Sequence, residues 1–204
     1  MKASHPPLIL ASASPRRRSL LKRLGVPFRV VPSRASESTR QRDPRRLVVE
    51  LALRKALSVA RRHPRSAVLG ADTIVFSRGE VIVKPRSHAD SLRILRRIND
   101  CWHRVYTGVA LALDGGRLSF TECALSRVRA RRLSEAELRS LAGKHLDKAG
   151  GYAVQDRRDP FIKRVSGDHD NVVGLPMRAV RRLWRKALDA RRAGAALRRK
   201  PAAG

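Results

Sequence analysis

Four consecutive apolar residues, Leu8-Ile9-Leu10-Ala11, run directly into Ser12-Ala13-Ser14-Pro15 and then Arg16-Arg17-Arg18-Ser19-Leu20-Leu21. The apolar run reads as a buried strand. Two serines and a proline end it, and Leu20, Leu21 and Leu24 return at helical spacing, so a helix opens within a few residues of the strand's end. A turn of this kind presents unpaired backbone N–H groups, serine hydroxyls and the positive end of a helix dipole, and arginines add bidentate donors. A phosphate is its natural guest. In a chain this rich in arginine the three cations also fit a solvated helix face. Arginine at a helix N-terminus, however, is opposed by the dipole by about 0.3–1 kcal/mol, which favours something negative sitting there part of the time.

The charge balance has the same sign. The 204 residues carry 46 Lys+Arg against 17 Asp+Glu, a net +29. Such a surface suits a polyanion, nucleotide or nucleic acid, with salt-dependent binding. The basic residues are spread over the whole chain rather than gathered in one stripe, and four Phe and two Tyr offer little for base stacking. Nonspecific nucleic-acid contact is expected mainly from the basic tail. No apolar stretch approaches the ~20 residues of a membrane span, and residues 1–7 have no apolar signal core. The expected location is the cytoplasm. Cys101 and Cys123 are isolated and the six histidines lie apart, so neither disulfide nor structural zinc is expected.

Along the chain, Phe28 to Val31 reads as a short strand and Ser33 to Asp43 as a polar loop holding Glu37. A helix starts at Pro44 under an Asp43 cap. Its inward stripe, Leu47 or Val48, Leu51, Lys55 and Val59, places Lys55 among buried positions, where its stem covers apolar surface or its ammonium points into a cleft. Ala67 to Phe76 is a long apolar strand interrupted by Asp72. Burying a lone carboxylate costs several kcal/mol, about as much as a fold can spare, so Asp72 needs a cation. The turn at Ser77-Arg78-Gly79 returns Lys84 toward it. Asp90 to Ile98 reads as a helix, His103 to Leu113 and Leu118 to Val128 as a hairpin, and Ser134 to Glu137 as a capping box. Phe161 to Val165 reads as a strand, Gly167 to Asn171 as a polar loop, and Met177, Val180, Leu183, Trp184 and Leu188 as the stripe of a last helix. The expected organisation is a flexible segment 1–7, one domain 8–192, and a disordered basic tail 193–204.

Two inward lysines (Lys55, Lys84), a phosphate turn (Ser12 to Arg17), two acids (Glu37, Asp72) and an amide beside glycines (Gln155) make up the parts of a nucleotide hydrolase. No G-x-x-x-x-G-K-[ST] loop is present. The blocks Ser12-x-Ser14-Pro15-Arg16-Arg17-x-x-Leu20-Leu21, Gly70-Ala71-Asp72-Thr73, Lys84-Pro85, Thr107-Gly108-Val109, Asp147-Lys148-Ala149-Gly150-x-Tyr152-x-x-Gln155 and Asn171-Val172-Val173-Gly174-Leu175-Pro176 occur in one order over Leu8 to Leu188. In this the chain resembles the Maf family of septum-formation-type nucleoside triphosphate pyrophosphatases.

The resemblance implies an α/β, inosine-triphosphatase-like (Maf/Ham1) fold: a long bent mixed β-sheet flanked by helices, two lobes and a central cleft, often in homodimers. It implies hydrolysis of a nucleoside triphosphate to the monophosphate and pyrophosphate with a divalent metal, Mg²⁺ or Mn²⁺. By position, Asp72 takes the proton-accepting acid, Ser12, Arg17, Lys55 and Lys84 the phosphate-binding places, and Glu37 with Asp72 the metal side. Arg16, Thr73 and Gln155 match the dTTP/UTP subgroup's positions for base choice. An amide at Gln155 satisfies the neighbouring carbonyl and N3–H of uracil or thymine, whereas the 7-methyl-GTP subgroup, the alternative, would favour a carboxylate there; Asp156 is one residue away. Another alternative is a nucleic-acid-binding protein with a vestigial cleft. The chain departs from the family at Ser36, where an acid is usual beside Glu37, at Ala153, and at Asp168-His169-Asp170.

Overall fold

A computed structural model describes residues 5–156 and 159–197. Seven strands form one mixed sheet: β1 (Leu8–Leu10), β2 (Phe28–Val30), β3 (Ala67–Ser77), β4 (Glu80–Ile82), β5 (Trp102–Leu113), β6 (Leu118–Ala130) and β7 (Ile162–Ser166). Their order is β2-β1-β3-β5-β6-β7, with β4 also beside β3. β1 is parallel to both neighbours, and the remaining pairings are antiparallel. Around the sheet lie α1 (Pro15–Lys22), α2 (Pro44–Ala60), α3 (His88–Ile98), α4 (Glu135–Leu141), α5 (His169–Val173) and α6 (Met177–Leu197). Local chemistry sets several starts. Ser14 caps α1 by accepting from Arg17 N, Asp43 caps α2 from Arg46 N, and Ser134 with Glu137 closes a reciprocal capping box on α4.

β3 decides the shape of the molecule. One of its edges pairs continuously with β5 from Val68 to Phe76. The other is divided: β1 takes Ala67–Leu69, β4 takes Val75–Ser77, and no strand among the described residues pairs with residues 70–74. The two partial neighbours diverge and leave a gap between two lobes. On the β1 side, Leu8, Leu10, Leu69 and Leu111 pack with Met177, Val180, Leu183 and Trp184 of α6. On the β4 side, Val75, Ile94, Leu95, Val105, Leu138 and Phe161 form a second core. Each fully buried Leu, Ile or Phe contributes about 1.5–3 kcal/mol.

α2 lies directly on the backbone of the sheet. A Cβ placed on Gly70 would run into the Ala52 carbonyl and lie 2.7 Å from Ala56 N, and one on Gly108 would meet the Val48 carbonyl and Val49 N at 2.6 Å. These two glycines admit the helix at a distance no side chain allows. They also bring Lys55, three residues beyond Ala52, down to β3 beside the gap.

Three readings of the sequence need adjustment. Part of the segment taken as a polar loop, Gly167 to Asn171, opens the short helix α5, capped by Asp168 and ended by Gly174 in the left-handed conformation (φ 116°). Five residues are too few to show helical periodicity. α6 continues to Leu197, into the segment expected as a tail from 193; residues 198–204 lie outside the described residues. Within the expected flexible segment 1–7, residues 1–4 lie outside the described residues, while the His5 ring meets Trp184 edge-on at 5.8 Å and Pro7 O accepts from Ala67 N at 2.9 Å.

Candidate active site

The gap beside β3 opens into a cleft of about 730 Å³. Ser12, Arg16, Arg17, Glu37, Lys55, Asp72, Thr73, Lys84 and Gln155, every residue singled out in the sequence, line it. They come from the β1–α1 turn, the loop before α2, α2 itself, β3, the end of the β4 hairpin and the segment after α4. Six cations and three carboxylates share the walls, an excess of positive charge suited to a polyphosphate.

At its centre, the Lys55 ammonium donates to Asp72 Oδ1 at 2.6 Å and to Glu37 Oε1 at 2.5 Å. The Lys55 and Asp72 side chains keep 12% and 11% of their surface, whereas Glu37 keeps 60%. Asp72 thus has the cation its burial requires. The hydrogen bond from Lys55 holds the Glu37 carboxyl below its ordinary range, with the charges of Lys55, Lys84 and Arg17 adding to it against a partial burial that pushes the other way.

Arg17 joins the two walls. Its Nε donates to Gly174 O at 2.8 Å, Nη1 to Ser12 Oγ at 3.4 Å and Nη2 to Thr73 Oγ1 at 3.1 Å. Burial pulls the pKa of Arg17 down and the charge of Asp72 is the chief influence restoring it. Behind Thr73 runs a relay of hydrogen bonds. Thr73 Oγ1 pairs with Thr107 Oγ1 at 2.9 Å, Thr107 donates to Asn171 O at 3.0 Å, and Asn171 Nδ2 donates to Val105 O and Ser126 Oγ. Thr107, Asn171 and Gly174 are therefore part of the site's support, although nothing in the sequence marked them except their place in the motif blocks.

At the mouth, Arg16 Nη1 meets Asp147 Oδ2 at 2.5 Å and Lys148 Nζ meets Asp147 Oδ1 at 2.7 Å. Burial pushes the Asp147 carboxyl up, but the bonds from Lys148 and Arg16 outweigh it and hold it at about 2. The segment is pinned further along by Asp159, which accepts from Ala153 N at 2.7 Å and Phe161 N at 3.0 Å and lies 3.3 Å from His145 Nε2. Within this frame Gln155 faces the cleft and makes no side-chain hydrogen bond among the described residues. Asp156, the neighbour that a shifted register would substitute for it, is not part of the lining and sits 4.0 Å from His145.

The divalent metal implied by the resemblance can be tested against these donors. Among the described residues no group of three or more His, Cys, Asp or Glu converges. Glu37 and Asp72 do converge, on one ammonium. Two carboxylates fit a hard cation that takes its other ligands from phosphate and water, as Mg²⁺ does.

The family model for Maf-like proteins matches residues 7–187. The chain belongs to the Maf family. Among its relatives, a dTTP/UTP pyrophosphatase of Elusimicrobium minutum is 48% identical over 170 residues, covering 83% of this chain and 92% of the relative. A dTTP/UTP pyrophosphatase of Deinococcus radiodurans is 45% identical over 184 residues, 89% of this chain and 93% of the relative. A solved nucleoside-triphosphatase (dITP/XTP pyrophosphatase) from Mycobacterium abscessus aligns over 95% of this chain and 100% of its own, with 15% identity and a TM-score of 0.43. The Maf assignment rests on the first three comparisons.

Proposed function

We propose that this Maf protein hydrolyses dTTP and UTP to the monophosphate and pyrophosphate. The observation that carries the reading is the convergence of Asp72, Lys55 and Arg17 on the stretch of β3 whose second edge pairs with no strand among the described residues. Names of relatives 45–48% identical supply the pyrimidine substrates, and Gln155 at the cleft wall offers the donor–acceptor pair that uracil and thymine require.

In this mechanism Asp72 Oδ1 is held by Lys55, leaving Oδ2 to accept a proton from the attacking water. The water oxygen bonds to the α-phosphorus as the bond to the bridging oxygen breaks, and pyrophosphate leaves with that electron pair. Lys55, Lys84, Arg17 and Ser12 offset the charge that accumulates on the phosphate oxygens. A divalent cation held by Glu37 and Asp72 would polarise the phosphoryl oxygens. Arg16 and Thr73 act in base choice by position; the hydroxyl of Thr73 is engaged by Arg17 and Thr107, so it acts by setting the arginine. The cytoplasm is the fitting compartment: both cysteines are free and no described helix is long and apolar enough to cross a membrane.

The test is a panel of nucleoside triphosphates, canonical and modified, assayed for pyrophosphate with and without Mg²⁺ or Mn²⁺. Release that is fastest from dTTP and UTP and requires the metal is expected. Preference for 7-methyl-GTP, or orthophosphate as the first product, overturns it.

A further inference from the structure

Past the N-terminal turn of α2 the sheet has a face that no element among the described residues covers. The pairing registers set Trp102, Arg129 and Arg164 side by side on one rung, and Phe76, Arg104, Arg127 and Ser166 on the next. Tyr106 and Leu125 form the rung nearest α2. Trp102, the first residue of β5, and Leu125 keep 41% and 36% of their surface exposed, a high fraction for large apolar residues. Arg127 lies over the Trp102 ring, 4.9 Å from its centroid, and Arg45 lies over Tyr106 at 5.9 Å.

The charges on this face are largely unanswered. Arg129 is paired with Asp100 at 2.5 Å, but Arg104, Arg127 and Arg164 have no carboxylate partner among the described residues. A second copy of the chain laid on this face would set the same arginines against one another. A polyanion with flat groups would not. Arg104 and Arg127 stand opposite each other on β5 and β6, and Arg164 follows one rung on along β7, so the three cations step across strands about 4.7–4.9 Å apart as a row that a chain of phosphates can follow, while the exposed indole and its stacked arginine form a platform of the type on which unpaired bases stack.

We propose that the outer face of β5, β6 and β7 binds single-stranded nucleic acid, phosphates on Arg104, Arg127 and Arg164 and a base on Trp102. It is a second site, outside the cleft, and none of its four residues lines the cleft.

A labelled single-stranded RNA of about 20 nucleotides is titrated into the full chain by fluorescence anisotropy at several salt concentrations. Arg104→Gln/Arg127→Gln/Arg164→Gln is expected to weaken binding at least tenfold and to flatten the salt slope by about 2, each lost phosphate contact on a single strand contributing about 0.7. Trp102→Ala weakens it about tenfold. The charge-matched control Arg178→Gln/Arg185→Gln/Arg191→Gln, on the exposed side of α6, changes it less than twofold. Release of pyrophosphate and thermal midpoint stay unchanged in all three. A second readout needs no variant: Trp184 is buried, so RNA should quench the fluorescence of Trp102. An equal loss in the control triple overturns the proposal, as does binding only to anionic lipid vesicles. So does a dimer that dissociates in Trp102→Ala while RNA affinity is unaltered.

Discussion

Asp72 is tolerated in an apolar strand because Lys55 reaches it, and the two side chains can be separated by substitution. Asp72→Asn keeps the shape and removes the proposed proton acceptor, so turnover should fall by roughly 10²–10⁴ with little change in thermal midpoint; a steady-state pyrophosphate assay beside a melting curve separates the two effects. Lys55→Met leaves a buried carboxylate without its donor and should cost roughly 1–3 kcal/mol. Adding Asp72→Asn to that variant should recover part of the loss. A urea midpoint unmoved in Lys55→Met would mean that the pair holds nothing together. At the mouth, the Asp147 carboxyl is held at about 2, a depressed acid in the folded state. Its contribution to stability is present above its unfolded pKa, near 4, and is lost as pH falls toward 2. Carboxyl NMR should find Asp147 ionised well below pH 3, and Arg16→Gln should raise its midpoint. Asp72 and Lys55 were legible in the sequence because each is a charge on an apolar stripe. Glu37 stood out only as a lone carboxylate in a basic stretch, and its place on the metal side came through the resemblance, since a carboxylate in a polar loop has no local signature of its role. The hydroxyl relay from Thr73 to Asn171 joins residues dozens of positions apart, and no local pattern encodes that distance.

At the level of the elements, α2 holds its distance from β3 and β5 through two missing side chains, at Gly70 and Gly108. Gly108→Ala should lift the N-terminal half of α2 from the sheet and lower stability by about 1–3 kcal/mol or more, with a fall in turnover because Lys55 rides on the same helix. A normal melting temperature and full activity together would show that the helix has slack. The joint between β5 and the segment after α4 behaves differently. His103 Nε2 and Tyr152 Oη lie 2.8 Å apart in the β4-side core, and burial pushes the imidazole down to about 4. The unfolded chain binds that proton at higher pH than the folded one, so the contribution is complete above about 6.5 and erodes as pH falls to about 4. The loss over that window is on the order of 3 kcal/mol. Urea midpoints from pH 7 to 4 should show this acid limb, and His103→Gln should flatten it. Element starts were readable wherever a cap or turn residue announced them, as at Asp43-Pro44 and Ser134. The reach of α6 was not, because Ala, Leu and Arg at 187–197 are helix formers that also suit a basic tail.

For the molecule as a whole, a net charge of +29 surrounds a cleft whose own walls are positive. Encounter with a triphosphate should be steered by that field, so kcat/KM for UTP should drop steeply between low and physiological ionic strength while kcat changes little. Stopped-flow or steady-state rates over a salt series check it. A flat series would confine electrostatics to the cleft itself. The two-lobed plan came with the family resemblance, whereas its cause did not: the sequence shows where strands begin and end, and only pairing shows which edges they leave free. That free edge carries a consequence for how the family can vary. β1 and β4 stop short of each other, and the cleft proposed as the active site opens in the vacancy between their ends. Five more strand-forming residues after Leu10, or five after Ile82, would let one of them zip across and complete the ladder. Such a protein would melt higher and turn over nothing, so the brevity of these strands is itself a functional trait that no side-chain inventory records.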